Sequence, residues 1–289
     1  MRMKKKRILI VMVAMCLLTI FVAGCSSKSS RQDSTVSIKK VGSVKENKKL
    51  HALLPKRIKD AGEIKNGIDD AYPPMDFKDG NGNLTGFDID VDKALAARLG
   101  VKIKNTPTDW DGIIPSLQSK KFDMILSAMG ITKERAKSVS FSKPYFNGGV
   151  TIILNKKTSN IKNVKDLNSL KGKIVGVQAG AQAIVDRVSK IPGVKEVKKY
   201  DSATLALQDL ANKRIYAYVD DFEVANYYMQ KVPGTYSKKV LNIKEPYGIA
   251  FRKNDKKLQN SVQKAMDSLK KDGTLSKISK KWFKYDVYK

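Results

Sequence analysis

The 289-residue sequence is strongly basic, with 56 Lys and Arg residues against 28 Asp and Glu and a formal net charge of +28. This length suits a short leader followed by two domains of about 100–150 residues. The lysines are dispersed singly and in pairs and no nucleic-acid-binding module is recognisable, which argues against nucleic acid as a partner. Cys16 and Cys25 are the only cysteines and His51 is the only histidine. This composition argues against cysteine catalysis, a Cys-based metal site and a histidine triad.

Residues 1–24 have the pattern of a secretory signal peptide. A basic start is followed by residues 8–23, which are apolar except for Thr19. This run is shorter than the ~20 apolar residues that span a membrane, although a single anchor helix remains the alternative. The string Val22-Ala23-Gly24-Cys25 resembles the lipobox of bacterial lipoproteins. The resemblance implies a lipid on Cys25 and a mature chain that begins there, at the outer face of the bacterial membrane.

Residues 25–50 are predicted to form a flexible tether because they are rich in Ser and Lys and poor in apolar side chains. Folded structure is expected to begin near Leu53. Removal of the five basic residues of the leader would leave a charge of +23. This charge favours either a basic surface facing anionic lipid or wall polymer, or a general lysine bias in composition.

The folded part alternates between strand-like and helix-like segments, which predicts an α/β architecture. The turn at 79–83 predicts a hairpin. Asp90 is predicted to cap a helix that ends at Leu99, and Asp88 to make a turn contact. Further strands are predicted over 101–105, 122–126, 149–154, 173–177, 215–219 and 247–251, and further helices over 111–119, 181–190, 204–213, 222–230 and 256–271.

One pattern superficially suggests calcium. Asp79, Asn81, Asn83 and Asp90 fall at the first, third, fifth and twelfth positions of an EF-hand loop. Leu84, however, occupies the sixth position, where glycine is required, and the flanking segments are strand-like. The sequence therefore predicts no metal site and no cofactor.

Five motifs in the first part of the folded region occur in a fixed order. They are residues 69–75, 86–90, 108–117, 127–135 and 141–145. Together they closely resemble the polar amino-acid family of solute-binding proteins of ABC importers. The resemblance implies a two-lobed α/β fold of the periplasmic-binding-protein type, with a cleft between the lobes, two hinge crossings and a membrane permease as partner.

The resemblance also implies roles in the first lobe. Tyr72 and Trp110 would bracket the ligand side chain. Arg135 would bind the ligand carboxylate, since its planar fork suits a carboxylate, and the backbone N–H of a neighbouring residue would assist. The carbonyls of Ala128 and Gly130 would accept from the ammonium, and the N–H of Thr132 would donate to the carboxylate. The residues assigned to this half of the site are Asp69, Tyr72, Trp110, Ser127, Ala128, Gly130, Thr132 and Arg135.

In the second lobe, residues 177–182 resemble a family loop whose backbone N–H groups face the ligand carboxylate. The resemblance therefore adds Gln178, Ala181 and Gln182 to the predicted ligand-binding residues. The sequence departs from the family here, because Ala181 stands where threonine is usual. The N–H is kept and the hydroxyl is lost. Asp221 matches the ammonium-binding aspartate, with Asp220 as the alternative register.

The first lobe is expected to comprise residues 51–146 and 248–289, and the second lobe residues 150–245. Closure about the two crossings would bring Asp221 onto a ligand held by Arg135. Asp69 and Asp220 with the aromatic pair slightly favour a basic amino acid, arginine or lysine, but also suit glutamine or cystine.

Each residue also has an ordinary structural interpretation. The aromatic residues could belong to the core, Arg135 could lie on a solvated helix, and Asp221 could cap a helix. Two other functions are considered. One is an enzyme on the same fold, such as a dehydratase of a small carboxylic acid, which would need a positioned acid or base. The other is a basic cell-surface binding protein. The complete set of motifs favours a binding protein without catalytic residues.

Overall fold

A computed structural model of the chain describes residues 35–36, 44–179 and 181–289. The predicted signal peptide, Cys25 and most of the predicted tether lie outside the described residues, and so does the side chain of Gln182. All of the described residues belong to one structural unit, Ser34–Lys289.

The strands, in chain order, are β1 (Thr35–Val36), β2 (Glu63–Ile68), β3 (Ala71–Tyr72), β4 (Asp76–Lys78), β5 (Leu84–Thr85), β6 (Lys102–Pro107), β7 (Met124–Ile125), β8 (Val139–Phe141), β9 (Phe146–Asn155), β10 (Ile174–Gln178), β11 (Glu196–Tyr200), β12 (Ala217–Asp221), β13 (Tyr236–Tyr247) and β14 (Ala250–Arg252).

The α-helices are α1 (Lys48–Leu53), α2 (Lys56–Ala61), α3 (Phe87–Leu99), α4 (Ile113–Gln118), α5 (Arg135–Ser138), α6 (Gln182–Ser189), α7 (Ala203–Ala211), α8 (Phe222–Lys231), α9 (Lys256–Lys271) and α10 (Thr274–Phe283). Short 3₁₀ helices cover Trp110–Gly112, Ile161–Asn163 and Leu167–Leu170.

Two sheets of mixed direction form the framework of two lobes. The first sheet has the strand order β1-β6-β2-β7-β14-β8, and the second has the order β11-β10-β12-β9-β13. In the first, β2 runs parallel to β6 and β7. In the second, β10 runs parallel to β11 and β12. Strand–helix alternation produces these parallel pairs, because a parallel connection needs a crossover segment. The predicted two-lobed α/β fold is therefore confirmed.

The chain passes between the sheets along β9 and β13, which are long antiparallel partners. Phe146 at the start of β9 pairs with Tyr247 at the end of β13. From there the chain enters β14, which returns to the first sheet beside β7 and β8. The single strand predicted over 247–251 is therefore wrong: Tyr247 ends β13, and a new strand begins at Ala250.

The lobes are packed against each other. The largest buried hydrophobic cluster includes Phe87 of α3, Phe146 of β9 and Tyr218 of β12. Across the interface the rings of Phe77 and Tyr227 lie 5.3 Å apart between centroids, edge to face. Since side chains of both sheets share one core, the structure shows the lobes in a closed arrangement.

The predicted hairpin is confirmed, because β4 pairs antiparallel with β5. The predicted N-cap at Asp90 is wrong, since α3 begins three residues earlier, after Gly86. Gly86 has φ 138°, and a Cβ there would lie 2.1 Å from the carbonyl oxygen of Met75, so only glycine fits. Asp90 instead accepts hydrogen bonds from Lys281 and Trp282 of α10.

The predicted end of the tether at residue 50 is also wrong. Helix α1 already begins at Lys48, and the side chain of Asn47 caps it by accepting from two backbone N–H groups. The Asn47 N–H donates to the carbonyl of Arg98 at 3.0 Å, and the Arg98 guanidinium donates to the carbonyl of Lys45 at 3.1 Å. These contacts with α3 fix the segment from residue 45, although its composition is polar.

Candidate ligand-binding cleft

A cleft lies where the carboxyl ends of parallel strands from both sheets meet. Asp69 follows β2, Gln178 ends β10 and Asp221 ends β12, and ligands commonly bind outside this edge of an open α/β sheet. The cleft has about 470 Å³ of space between its walls, part of it continuous with solvent. The residues that line it are Asp69, Tyr72, Trp110, Ser127, Ala128, Gly130, Arg135, Gln178, Ala181, Ala183, Ile184, Asp221, Glu245 and Tyr247.

Arg135 provides positive charge at one end of the cleft. It begins α5, and its backbone N–H donates to the Thr132 hydroxyl at 3.1 Å. One guanidinium nitrogen donates to the carbonyl of Gly130 at 2.9 Å, and the guanidinium carbon lies 5.4 Å from the centroid of the Trp110 ring. Burial lowers the pKa of Arg135, while the nearby carboxylates of Asp221 and Glu245 counteract that shift. The guanidinium is therefore held in a fixed position inside the cleft.

The loop that carries Gly130 is fixed to the second crossing between lobes. The N–H of Gly248 donates to the Met129 carbonyl at 3.0 Å, and the N–H of Ile131 donates to the Pro246 carbonyl at 2.8 Å. Gly130 itself forms a β-bridge with Tyr247. Movement at this crossing would therefore be transmitted directly to the cleft wall.

Two adjacent buried carboxyl groups lie on the opposite wall. Asp221 lines the cleft, whereas Asp220, which is fully buried, lies behind it. The hydroxyl of Tyr72, from the first lobe, donates to Asp221 at 2.6 Å and to Asp220 at 3.0 Å; Tyr218 also donates to Asp220. Burial raises the pKa of both carboxyl groups, and for Asp220 the charge of Asp221 adds to that effect. For Asp221, the hydroxyl groups of Tyr247 and Tyr72 partly offset the effect of burial.

Asp69 lies at the other end of the cleft among neutral donors. Its carboxylate accepts from the Ala71 N–H at 3.0 Å and from the side-chain amide of Gln178 at 2.8 Å. Its own N–H donates to the Ser127 hydroxyl at 3.0 Å. Burial raises the pKa of Asp69 to about 6, and these two hydrogen bonds only partly offset the shift. The contact with Gln178 is a further hydrogen bond between the lobes, beside those of Tyr72.

The structure brings ten of the thirteen predicted ligand-binding residues together around this cleft. Of the other three, two described residues do not line it and one has a side chain that is not described. Thr132 supports Arg135 from outside through its hydroxyl, Asp220 lies behind Asp221, and the side chain of Gln182 is outside the described residues. The predicted aromatic pair does line the cleft, with Tyr72 buried and Trp110 half-buried.

Four lining residues were not predicted. Glu245 and Tyr247 lie at the second crossing between lobes, for which the sequence predicted only a hinge. Ala183 and Ile184 lie in the first turn of α6, immediately after the predicted loop. The position of Glu245 and Tyr247 at a crossing between lobes was the available signal, because a crossing lies beside the cleft.

With this geometry established, comparison with known proteins identifies the class. The family model of bacterial extracellular solute-binding proteins, family 3, matches residues 64–285. The chain belongs to this family, whose named members among its relatives bind amino acids.

Two relatives from Escherichia coli (strain K12) illustrate the similarity. L-cystine-binding protein TcyJ is 35% identical over 234 residues, covering 81% of this chain and 87% of the relative. ABC transporter arginine-binding protein 1 is 36% identical over 228 residues, covering 77% of this chain and 91% of the relative. Both are named as binding proteins rather than enzymes.

Solved structures show the same fold. An ancestral arginine-binding protein bound to arginine is 45% identical, with a TM-score of 0.72, and the match covers 77% of this chain and 98% of that one. An ancestral amino-acid-binding protein, described as a precursor of cyclohexadienyl dehydratase, is 40% identical with a TM-score of 0.72, covering 80% and 99% of the two chains. In the part of this chain that the structure describes, no helix is long and apolar enough to cross a membrane.

Proposed function

We propose that this chain is the substrate-binding lipoprotein of an amino-acid ABC importer and captures a polar, preferably basic, L-amino acid between its lobes. The observation that carries the proposal is the pairing of Arg135 on one wall with Asp221 on the other, both lining the same buried cleft. The guanidinium suits the ligand carboxylate, and the Asp221 carboxylate, which lines the cleft, suits its ammonium.

Backbone groups complete the α-carbon end of the proposed site. The carbonyls of Ala128 and Gly130 would accept from the ammonium, and the N–H groups of Thr132 and Ala181 would donate to the carboxylate. For Ala181 this would replace the long bond to the Gln178 carbonyl, at 3.3 Å in the structure. The Gly130 carbonyl already accepts from Arg135, but a carbonyl oxygen has two lone pairs and can accept again. Every free α-amino acid carries this pair of charges, so this end would define the ligand class.

The side-chain end supports a basic ligand. Asp69 is buried, and its partners in the structure are neutral. A guanidinium or ammonium between the rings of Tyr72 and Trp110 would provide the missing positive charge and gain cation–π contact. Relatives named for arginine and for cystine are both consistent with this cleft, and glutamine remains a candidate, since an ancestral arginine-binding protein has been solved with glutamine bound.

Capture would occur by hinge closure. The first lobe would comprise residues 51–146 and 248–289 and the second 150–245, with the crossings at the paired ends of β9 and β13. The hydrogen bonds of Tyr72 with Asp220 and Asp221, and of Gln178 with Asp69, would form on closure. The closed form would then dock on the membrane permease.

The leader supports a location outside the cytoplasm. Cleavage before Cys25 and acylation of its thiol would anchor the protein to the outer face of the membrane, consistent with the extracellular family to which the chain belongs. Treatment of the expressing bacterium with an inhibitor of lipoprotein signal peptidase should leave the precursor unprocessed. Normal processing of Cys25→Ala would contradict the anchor.

The direct test of the function is a thermal-shift panel of the twenty amino acids with ornithine and cystine. A ligand that binds only the folded state raises the melting temperature by mass action. We expect arginine, lysine or ornithine to give the largest shift. The absence of a shift with every compound would refute the proposal.

We infer that the chain is a binding protein without enzymatic activity, because its charged groups are arranged to hold both ends of an amino acid. One structural neighbour is described as a precursor of a dehydratase, so this point needs its own measurement. NMR of the best ligand after prolonged incubation should show it unchanged. Turnover that disappears in Asp69→Asn would instead establish an enzyme.

A further inference from the structure

We propose that Asp88 and Tyr145 are positioning residues that hold Ala128 in the conformation needed to bind the ligand ammonium. Neither residue lines the cleft, and the sequence predicted only a turn contact for Asp88. This inference rests on the proposed amino-acid site and assigns a further part of it.

The three residues form a closed set of buried hydrogen bonds. The Ala128 N–H donates to a carboxylate oxygen of Asp88 at 2.7 Å and approaches the Tyr145 hydroxyl oxygen at 3.1 Å. The Tyr145 hydroxyl donates to the same Asp88 oxygen at 3.0 Å. Asp88 is completely buried and Tyr145 is 5% exposed. Two groups from distant parts of the chain therefore converge on one backbone N–H in the cleft wall.

Ala128 needs such support because its backbone is unfavourable. Its φ of 41° lies in the left-handed region, where residues other than glycine are uncommon and strained. A strained conformation persists only where surrounding contacts determine it. The hydrogen bonds to Asp88 and Tyr145 hold Ala128 in this conformation, and the Ala128 carbonyl is the group proposed to accept from the ligand ammonium.

Both supporting side chains are themselves anchored. The Asp88 N–H, in the first turn of α3, donates to the Met75 carbonyl at 2.8 Å. The Tyr145 N–H donates to the Tyr247 carbonyl at 2.9 Å, one residue before the first crossing to the second lobe. The geometry of the ammonium end is thus tied to both the core helix and the hinge.

Asp92 provides a matched control. It lies one turn further along α3 and is also completely buried. Its carboxylate accepts from the Asn66 side chain at 2.9 Å and makes no contact with Ala128. Asn66 in turn bonds the Leu126 backbone. Asp88→Ala and Asp92→Ala therefore both remove a buried carboxylate from this region, but only Asp88→Ala removes a hydrogen bond to Ala128. Tyr145→Phe removes one hydroxyl, and Tyr236→Phe, which loses a bond to the Leu207 carbonyl, is its control.

The test compares L-arginine with 5-guanidinopentanoate, the same molecule without the α-ammonium, by calorimetric titration of the full folded chain. Asp88→Ala should weaken arginine binding about ten-fold and leave 5-guanidinopentanoate within about two-fold, since only a bond to the ammonium is lost. Tyr145→Phe should show the same selectivity to a smaller extent. Asp88→Asn, which keeps an acceptor oxygen, should restore most of the affinity. Both control variants should leave the ratio of the two affinities unchanged.

A measurement without ligand completes the test. NMR hydrogen exchange should show the Ala128 amide exchanging faster in Asp88→Ala and Tyr145→Phe than in their controls. Equal loss of affinity for both compounds, or an unchanged Ala128 exchange rate, would overturn the positioning role. If wild-type protein bound no amino acid, the proposed function would be wrong, whereas the exchange rate would still show whether Asp88 holds Ala128.

Discussion

The two ends of the cleft have different arrangements of charge. At the α-carbon end, the guanidinium of Arg135 and the carboxylate of Asp221 lie on opposite walls, so both signs of charge are present. At the side-chain end, Asp69 is a buried carboxylate whose hydrogen-bond donors are the neutral amides of Ala71 and Gln178. A buried charge without a counter-charge is unfavourable, which is why burial raises the pKa of Asp69 to about 6.

This difference separates two properties of a receptor. The end with both charges complements the common part of every free amino acid and therefore defines the class of ligand. The end with one uncompensated carboxylate distinguishes among members of that class, because a cationic side chain supplies the missing charge and a neutral one does not. Mutations at the first end should therefore affect all ligands, and mutations at the second should affect ligands selectively.

The largest effect is expected from Arg135→Ala. Loss of the buried guanidinium would leave the ligand carboxylate without its charged partner, which typically costs about 2–5 kcal/mol, or roughly thirty-fold to several thousand-fold in affinity. Calorimetric titration should show this loss for every amino acid that binds, and Arg135→Lys should fall between. Lys137→Ala, on the same helix and paired with Glu134 at the surface, is the control. Undiminished affinity would remove Arg135 from the site.

A smaller effect is expected from Asp221→Asn. Removal of the charged ammonium partner should weaken binding about ten-fold or more, since hydrogen bonds to charged groups contribute about 1.5–3 kcal/mol. Asp220→Asn should cost much less, because that carboxyl lies behind the wall and is bonded to Tyr72 and Tyr218. The two titrations decide whether Asp221 or Asp220 is the ammonium-binding aspartate, a choice that the sequence left open. A larger loss for Asp220→Asn would reverse the assignment.

Residues at both ends of the cleft were predicted from sequence, since Arg135 and Asp221 at one end and Asp69 at the other all line it. Arg135 and Asp221 were assigned because the strings that contain them resemble those of a known family, and in the structure they lie at a helix start and a strand end. Those local features place the side chains at the carboxyl edges of the sheets, where the cleft must form. The α/β alternation was readable for the same reason, since it arises from local patterns of apolar residues.

The unpredicted features depend on contacts between distant segments. Asp88 was assigned a turn contact because its partners, Ala128 and Tyr145, lie 40 and 57 residues further along the chain. Glu245 and Tyr247 enter the cleft only through the pairing of β9 with β13. The folded part of the chain begins at residue 45, earlier than predicted, and this likewise depends on a contact with Arg98 of α3. Composition and periodicity do not encode such pairings.

The smallest expected effect concerns pH at the side-chain end. The pKa of Asp69 is raised in the folded protein to about 6, above its ordinary value near about 4 in an unfolded chain. Between these values the folded state binds the proton more tightly, so this residue's contribution to the free energy of unfolding falls as pH rises from about 4 to about 6. A shift of this size corresponds to at most about 3 kcal/mol. Denaturant unfolding of ligand-free protein should show wild type losing stability across this window relative to Asp69→Asn, which cannot titrate.

The same titration should appear in ligand affinity. A cationic side chain binds the ionised carboxylate, so lowering the pH from 7 to 5 should weaken L-arginine binding through Asp69 by about ten-fold, and Asp69→Asn should lose that part of the pH dependence. Binding of L-glutamine, whose side chain is neutral, should lack this component, because it gains nothing from ionisation of Asp69. The difference in pH dependence of affinity between wild type and Asp69→Asn gives the contribution of Asp69 alone, apart from the other buried carboxyl groups such as Asp221. Parallel pH profiles for the two ligands in wild type would show that Asp69 does not distinguish side-chain charge, and the contrast between the two ends of the cleft would then rest on shape alone.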